Sequence, residues 1–346
     1  MSAERKKRGK NSLSVLTSSP VLNVFTGPHA LLDFLDPGKQ PPTPLVELPP
    51  ALNPFHARGV RVFMKLLFMT PIFNAKLLAS RNLLDEAKRD GRLKGVHTLV
   101  ENSSGNKILA DALLARLFGI RKVVAIVPHD IPPDKQLVLE LFGVECRKEL
   151  GGIDKARELG EQTGWWNPAQ YHDEANPGGS QRWLGPQIFE QTRGEISVLC
   201  SGVGTGGTAI GAGRFLKRHV PRLTTIGVIP STDEVPGVRT IKRLGEVGLA
   251  WRNALDADPL VVDVVDAYFQ SLRLCSRGIL AGPSGGMALA GLFKFLEVEA
   301  VSGDFQRIRN ARDEVVVVVP CPDSCMLYLD KYSTRLLPEQ MVEAIA

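Results

Sequence analysis

An α/β fold built on parallel sheets is the class this sequence predicts, on three observations. Short apolar runs alternate with longer helix-like stretches, the pattern of strands and helices in alternation. The run at 314–319, Glu-Val-Val-Val-Val-Val, is the kind of β-branched sequence found in a strand buried on both faces. Glycine-bearing loops stand where predicted strands pass into predicted helices, at 101–106 and 201–208, and a third, at 282–286, stands at the entrance of another predicted helix.

In chain order, residues 1–40 carry little periodicity and read as a partly disordered extension, with one short ordered piece around 30–35. The proline-rich stretch 37–50 runs extended into the folded body. A strand over 60–68 precedes a helix over 76–89, along which Leu77, Leu78, Leu83, Leu84 and Ala87 group. Strands at 97–101 and 122–127 alternate with helices at 105–118 and 134–142. In the second half, strands at 196–200, 224–229 and 314–319 alternate with helices at 206–218 and 285–297.

Composition narrows the function classes. With 346 residues, 44% hydrophobic and 23% charged, the chain suits one large or two modest domains. No run approaches the roughly 18 apolar residues of a membrane span, and the start lacks the apolar stretch of a secretory signal, so a cytoplasmic protein is expected. Of the net charge of +5, +4 lies in the first ten residues, where Arg5, Lys6, Lys7, Arg8 and Lys10 oppose only Glu4. The body has no basic stripe interleaved with aromatics, which argues against nucleic-acid binding. Five cysteines at irregular spacing fit reduced thiols, and Cys321 and Cys325 lack the accompanying Cys/His cluster of a metal site.

The sharpest local signal is Ser201-Gly-Val-Gly-Thr-Gly-Gly-Thr208. Glycines at a strand-to-helix junction let backbone N–H groups approach an anion, the helix start favours negative charge, and Thr205 and Thr208 add hydroxyl donors. Gly202, Gly204 and Gly207 also satisfy G-x-G-x-x-G, the dinucleotide pattern. That reading wants an acid at the end of the next strand, but the first one, Asp233, lies beyond Pro230, so a monophosphate site is preferred. The loop Glu101-Asn-Ser-Ser-Gly-Asn106 suits a carboxylate held against a helix start, or simple N-capping by Ser103 or Ser104. Gly282-Pro-Ser-Gly-Gly286 places Ser284 at the entrance of another helix.

Taken in order and spacing, these loops resemble the fold-type II pyridoxal-phosphate enzymes, specifically the cysteine synthase and cystathionine β-synthase group. The resemblance runs from about Thr43 to Leu329. It opens with Thr43-Pro-Leu-Val46 and continues through Val62-Phe-Met-Lys-Leu-Leu-Phe-Met-Thr-Pro71, which resembles the strand leading to the cofactor lysine. Trp183-Leu-Gly-Pro-Gln-Ile188 is similar to the family's TGPEI, residues 202–208 to its GVGTGGT phosphate loop, 278–286 to GILAGISSG, and 322–329 to PDSGERYL. Where the family shows Ser-Val-Lys-Asp-Arg, this chain has Asn74-Ala-Lys-Leu-Leu78. The distance to Asn82-Leu-Leu-Asp-Glu-Ala87, which matches the family's N-M-I-E-D-A, puts the cofactor lysine at Lys76.

The resemblance implies a tryptophan synthase β-like fold of two parallel or mostly parallel sheets covered by helices. It divides the chain into a large cofactor domain (41–79 and 176–346) and a smaller mobile substrate domain (80–175). It implies pyridoxal 5'-phosphate as cofactor, bound by Lys76, Asn106, Gly204, Thr205, Gly206, Gly207, Thr208 and Ser284, with Lys76 also the catalytic base. Ser103, Ser104, Gly105, Lys107 and Gln170 match substrate-contacting positions. A serine at 284, facing the pyridine nitrogen, implies that this nitrogen stays unprotonated and that chemistry at the β-carbon is favoured over transamination. Lys107-Ile108 replaces the usual Thr-Gly, so Lys107 either enters the cleft and favours a more anionic substrate or projects to solvent. The implied activity is β-replacement on a small activated amino acid (O-acetylserine, O-phosphoserine or a serine-like donor) through an aminoacrylate, with a thiol, sulfide or other nucleophile as second substrate. A cytoplasmic homodimer in cysteine biosynthesis, with no nucleic-acid or membrane partner, accompanies it. Three alternatives stand beside this: a β-eliminating lyase such as a cysteine desulfhydrase, a non-catalytic binding subunit, and a nicotinamide-dependent oxidoreductase using the glycine loop.

Overall fold

The computed structural model describes residues 22–346; the basic tail at 1–10, and with it part of the predicted extension, lies outside the described residues. The chain forms two compact units, Met1–Pro41 and Pro42–Ala346. In the first, the predicted ordered piece is a short helix, Ala30–Phe34, with an ion pair from Lys39 to Asp33 at 2.6 Å.

The second unit holds ten strands in two sheets: β1 (Leu45–Glu47), β2 (Val60–Leu66), β3 (Thr98–Asn102), β4 (Lys122–Val127), β5 (Val144–Lys148), β6 (Trp165–Trp166), β7 (Val198–Gly202), β8 (Thr224–Pro230), β9 (Leu260–Val262) and β10 (Val315–Cys321). The larger sheet has the order β1-β2-β10-β7-β8-β9 and is parallel except at its edge, where β1 pairs antiparallel with β2. The smaller sheet, β5-β4-β3-β6, is wholly parallel and lies within residues 98–166. The fold is therefore α/β with parallel sheets covered by helices, as the alternation predicts.

Burial explains the pattern. All seven residues of β10 are buried, with β2 and β7 on either side and helices on both faces. One face packs against the helices Val264–Cys275 and Pro283–Gly303 through Tyr268, Leu292 and Leu296. The other packs on Trp183, Ile188 and Leu216. Strand and helix bounds differ from the sequence reading by a few residues. The strand predicted over 60–68 stops at Leu66, because Leu67–Met69 turns into a 3-10 helix; β7 begins at Val198 rather than at Ile196. The helix predicted over 285–297 runs Pro283–Gly303, opened by a proline that has no N–H to leave unpaired. Among the described residues, no helix is long and apolar enough to cross a membrane.

Candidate functional site

Three helix starts converge. Lys76 opens the helix Lys76–Arg89; loop 202–208 joins β7 to the helix Gly207–His219; Ser284 stands in the first turn of Pro283–Gly303. Lys76, Gly204, Thr205, Gly206, Gly207, Thr208 and Ser284 all line one cavity.

The loop shows why its sequence is so rich in glycine. A Cβ on Gly204 would stand 2.3 Å from the Gly237 carbonyl oxygen, and one on Gly207 would stand 2.6 Å from Asn176 Oδ1. Gly206 has φ +82° and would meet Trp251 Cβ at 2.4 Å. The glycines thus seat the loop against Trp251, Asn176 and residue 237, and the helix starts beside the cavity with no side-chain cap. An uncapped helix start supplies N–H donors without intrahelical partners, suited to an anion. Thr205 Oγ1 accepts from the Gly207 N–H (3.2 Å) and from Asn176 Nδ2 (3.0 Å).

Lys76 is held differently from the family pattern. Its backbone N–H donates to Asn74 Oδ1 at 3.0 Å, the Ala75 N–H donates to the Pro322 carbonyl at 2.7 Å, and Leu77 and Leu78 are buried where the family has Asp-Arg. Desolvation lowers the Lys76 amine to about 8; Lys107 and Arg239 push the same way and Asp323 opposes them.

Asn106 begins the helix Asn106–Ala115, and its Nδ2 donates to Asp323 Oδ2 at 2.8 Å. Ser103, Ser104 and Gly105 form the turn before it, where Ser103 Oγ accepts from the Gly105 N–H at 3.3 Å. The cavity walls do not include Asn106, these three residues, Lys107 or Gln170. Gln170 is buried, its N–H donating to Glu101 Oε2 at 3.3 Å, and its carbonyl accepts from Asn176, which also donates to Thr205. Asn176 therefore ties the Gln170 segment to the glycine loop.

Lys107 takes neither orientation that the sequence allowed. It is 2% exposed, and its ammonium donates to both oxygens of Asp111, 1% exposed, at 2.5 and 2.6 Å. The charge is compensated within its own helix, four residues on. Beside the pair, Glu101 is buried with its carboxyl raised to about 7, chiefly by desolvation.

Sequence reasoning named none of Asp323, Tyr328, Asn176 and Asp111. Asp323 and Tyr328 lie inside the quoted 322–329 motif, and Asp111 stands at i+4 from a lysine on an apolar helix face, so a signal existed for these three. For Asn176 none did.

A uncapped glycine loop, a lysine and a hydroxyl around one cavity fit an anionic cofactor that bonds to an amine. The sequence pattern described as pyridoxal-phosphate dependent enzyme matches residues 38–320. The chain belongs to this family. It is a pyridoxal-phosphate-dependent enzyme of the β-replacement and lyase group, which sets aside the nicotinamide reading of the glycine loop and the non-catalytic one. It is 29% identical over 262 residues to the cysteine synthase of Staphylococcus aureus, covering 71% of this chain and 83% of that one. Cysteine synthase A of Salmonella typhi is 28% identical over 307 residues, covering 81% and 92%. In fold, O-ureido-L-serine synthase superposes with a TM-score of 0.72 at 24% identity, over 86% of this chain and 92% of that one. The O-acetylserine-dependent cystathionine β-synthase of Helicobacter pylori gives 0.68 at 24% identity, over 84% and 94%.

Proposed function

We propose that this enzyme catalyses β-replacement on a small activated amino acid, with O-acetylserine, O-phosphoserine or a serine-like compound as donor and a thiol, sulfide or other small nucleophile as acceptor. The observation that carries the reading is the placement of Lys76, an amine lowered to about 8, in the cavity walled by loop 204–208 and Ser284. Similarity to two cysteine synthases over most of the chain supports the substrate class.

In this reading residues 204–208 hold the cofactor phosphate on backbone N–H groups and on Thr205 and Thr208, and Asn106 and Ser284 flank the ring. Pyridoxal phosphate, when bound, supplies an electron sink for the substrate's α-carbon. Lys76 would hold the cofactor through its amine, and the same amine, lowered to about 8, would take the proton from the substrate's Cα. Ser103, Ser104, Gly105 and Gln170 receive the substrate carboxylate at a helix start that has no side-chain cap. Lys107 stands behind that turn, and its pairing with Asp111 keeps the turn's charge near neutral. Residues 80–175, which carry this carboxylate site, close on the remainder and exclude water. The family resemblance also implies a homodimer in the cytoplasm, which light scattering and cell fractionation read directly.

The test is Lys76→Ala beside a donor and acceptor screen. The parent should be yellow, absorbing near ~410 nm through its lysine-bound cofactor, and in sustained turnover should release acetate or phosphate in step with formation of the new amino acid. The variant should lose both the band and turnover. A variant that keeps them shows that another lysine is used, and pyruvate and ammonia as the main products would make the enzyme an eliminating lyase.

A further inference from the structure

One buried carboxylate outside the assigned site joins the segments that carry Lys76, Asn106 and Ser284. Asp323 is 1% exposed and lies one residue beyond β10 and Pro322. Its backbone pairs with Asn74, two residues before Lys76, and its carbonyl accepts from the Gly282 N–H at 2.9 Å, two residues before Ser284. Its side chain collects three donors: Tyr328 Oη at 2.6 Å and Asn106 Nδ2 at 2.8 Å, both on Oδ2, and Ser284 Oγ at 3.4 Å on Oδ1.

The chemistry of these partners fixes orientation. A carboxylate only accepts, and an amide presents a donating end and an accepting end. Facing Asp323, Asn106 must turn its nitrogen toward it, which settles the sense of the amide. Ser284 Oγ stands 3.4 Å from Oδ1 of the same group, a longer contact than the other two. Burial raises the Asp323 carboxyl to about 6, while Tyr328, Asn106, Lys76 and Ser284 all favour its charged form, so above that pH it is an acceptor for all three donors.

We propose that Asp323 is the positioning residue of this site: its carboxylate, braced by Tyr328, sets which end of Asn106 and which face of the Ser284 hydroxyl are turned to the cofactor ring. The proposal rests on the reading that Asn106 and Ser284 flank that ring. Replacing Asp323 by asparagine keeps its shape but gives Asn106 a partner that pairs in either sense, and the fixed orientation is lost.

The experiment uses the cofactor-loaded enzyme at about pH 8 and reads two quantities besides turnover: the position of the cofactor absorption band and the rate of cofactor loss on dilution. Asp323→Asn should move the band and lower cofactor affinity on the order of 10-fold, the scale of one hydrogen bond to a charged group. Added to the Asn106→Ala, Ser284→Ala double variant it should cost little more, because it acts through those two residues. Tyr328→Phe, which leaves the 322–324 backbone untouched, should give a smaller change of the same sign, and it stands as the deciding arm if Asp323→Asn does not fold. Parent-like band and affinity in the folded Asp323 and Tyr328 variants, with Asn106→Ala and Ser284→Ala both impaired, overturns the positioning role and leaves the site reading intact. Parent-like behaviour of Asn106→Ala and Ser284→Ala themselves overturns the site reading, and the positioning role with it.

Discussion

Gly206 offers a test of how the glycine loop is built, because its substitution separates packing from ligand binding. Alanine there must adopt φ near +82°, a left-handed conformation that costs an L-residue roughly 1–2 kcal/mol. Its methyl would also lie 2.4 Å from Trp251 Cβ and 3.3 Å from Ile210 Cδ1. Trp251 Cβ belongs to a buried side chain packed with Tyr171, Val203 and Ile210, so it cannot swing away as the end of a flexible chain would. Overpacking of this kind costs about 1–3 kcal/mol. The sum is roughly 2–5 kcal/mol. It falls on stability if the loop holds its place, or on cofactor affinity if the loop moves to relieve the clash.

Thr208→Ala is the control. It removes one hydroxyl from a set that keeps its backbone donors and Thr205, at a cost of about 1–2 kcal/mol, roughly tenfold in affinity, with little effect on the cofactor-free protein. Urea denaturation of the cofactor-free proteins and titration with pyridoxal phosphate measure the two quantities separately. Gly206→Ala should lose at least ~2 kcal/mol in one or the other, and Thr208→Ala only in affinity. Identical behaviour of the two variants, or a Gly206→Ala protein matching the parent in both measurements, would refute the account of the loop.

Three further outcomes are expected. Lys107→Thr should cost about 3–5 kcal/mol in urea denaturation by stranding Asp111 without its cation, and Lys107→Thr with Asp111→Leu should recover most of it. The double variant should keep the parent's preference between O-phosphoserine and O-acetylserine, and a selective loss with O-phosphoserine would return Lys107 to the substrate site. Lys65 is wholly buried on β2, donating to the Thr43 carbonyl, Gln187 and Gln191 at 2.6–2.9 Å, and burial pulls its amine down to about 7. An unfolded lysine titrates near ~10.4, so between these values the native state binds fewer protons and stability gains with rising pH; that rise should be absent from Lys65→Met, and parallel pH profiles would contradict it. Hydrogen exchange within residues 98–166 should slow when a substrate amino acid binds, and unchanged exchange and scattering would argue against closure.

How far the sequence reaches is visible residue by residue. The helix Lys76–Arg89 and the strand β4 match their predicted bounds, since each is long and strongly patterned. The strands β1, β6 and β9 are two or three residues long and carry no period to detect; they exist because a neighbouring strand offers a free edge. Lys76, the glycine loop and Ser284, which line one cavity, are legible because each sits in a local motif at the start of a helix, where local sequence dictates local geometry. Asp323 was not named, although its motif was, because its importance lies in its partners: Asn106 is 217 residues away and Ser284 39. No local pattern encodes such a meeting.

The fate of Lys107 shows where reasoning from a resemblance goes astray. Judged one position at a time, a lysine in place of threonine beside a carboxylate loop looks like a new positive charge for the substrate. The helix, however, places residue 111 one turn on and over the same patch. A buried ammonium without a partner would lose its proton or unfold the helix start, so a fold that tolerates Lys107 at 2% exposure has to bring an anion to it. Asp111 is that anion, and both of its oxygens are engaged. The two residues are one feature, and any preference for a charged substrate has to be sought in groups whose charge is not already met in this way. Arg239 does not supply one, since it pairs with Glu246 at 2.8 Å and stacks over Tyr171. The amine left facing the cavity is Lys76 itself. In the proposed reading the uncapped start of the Asn106 helix, with Ser103 and Ser104, holds the substrate carboxylate whatever leaving group the donor carries, and so does not itself select among donors. On that argument O-acetylserine and O-phosphoserine bind through the same contacts, and their relative rates should follow leaving-group chemistry. A ratio that changes sharply with salt would instead demand a cation in the cleft that these residues do not provide.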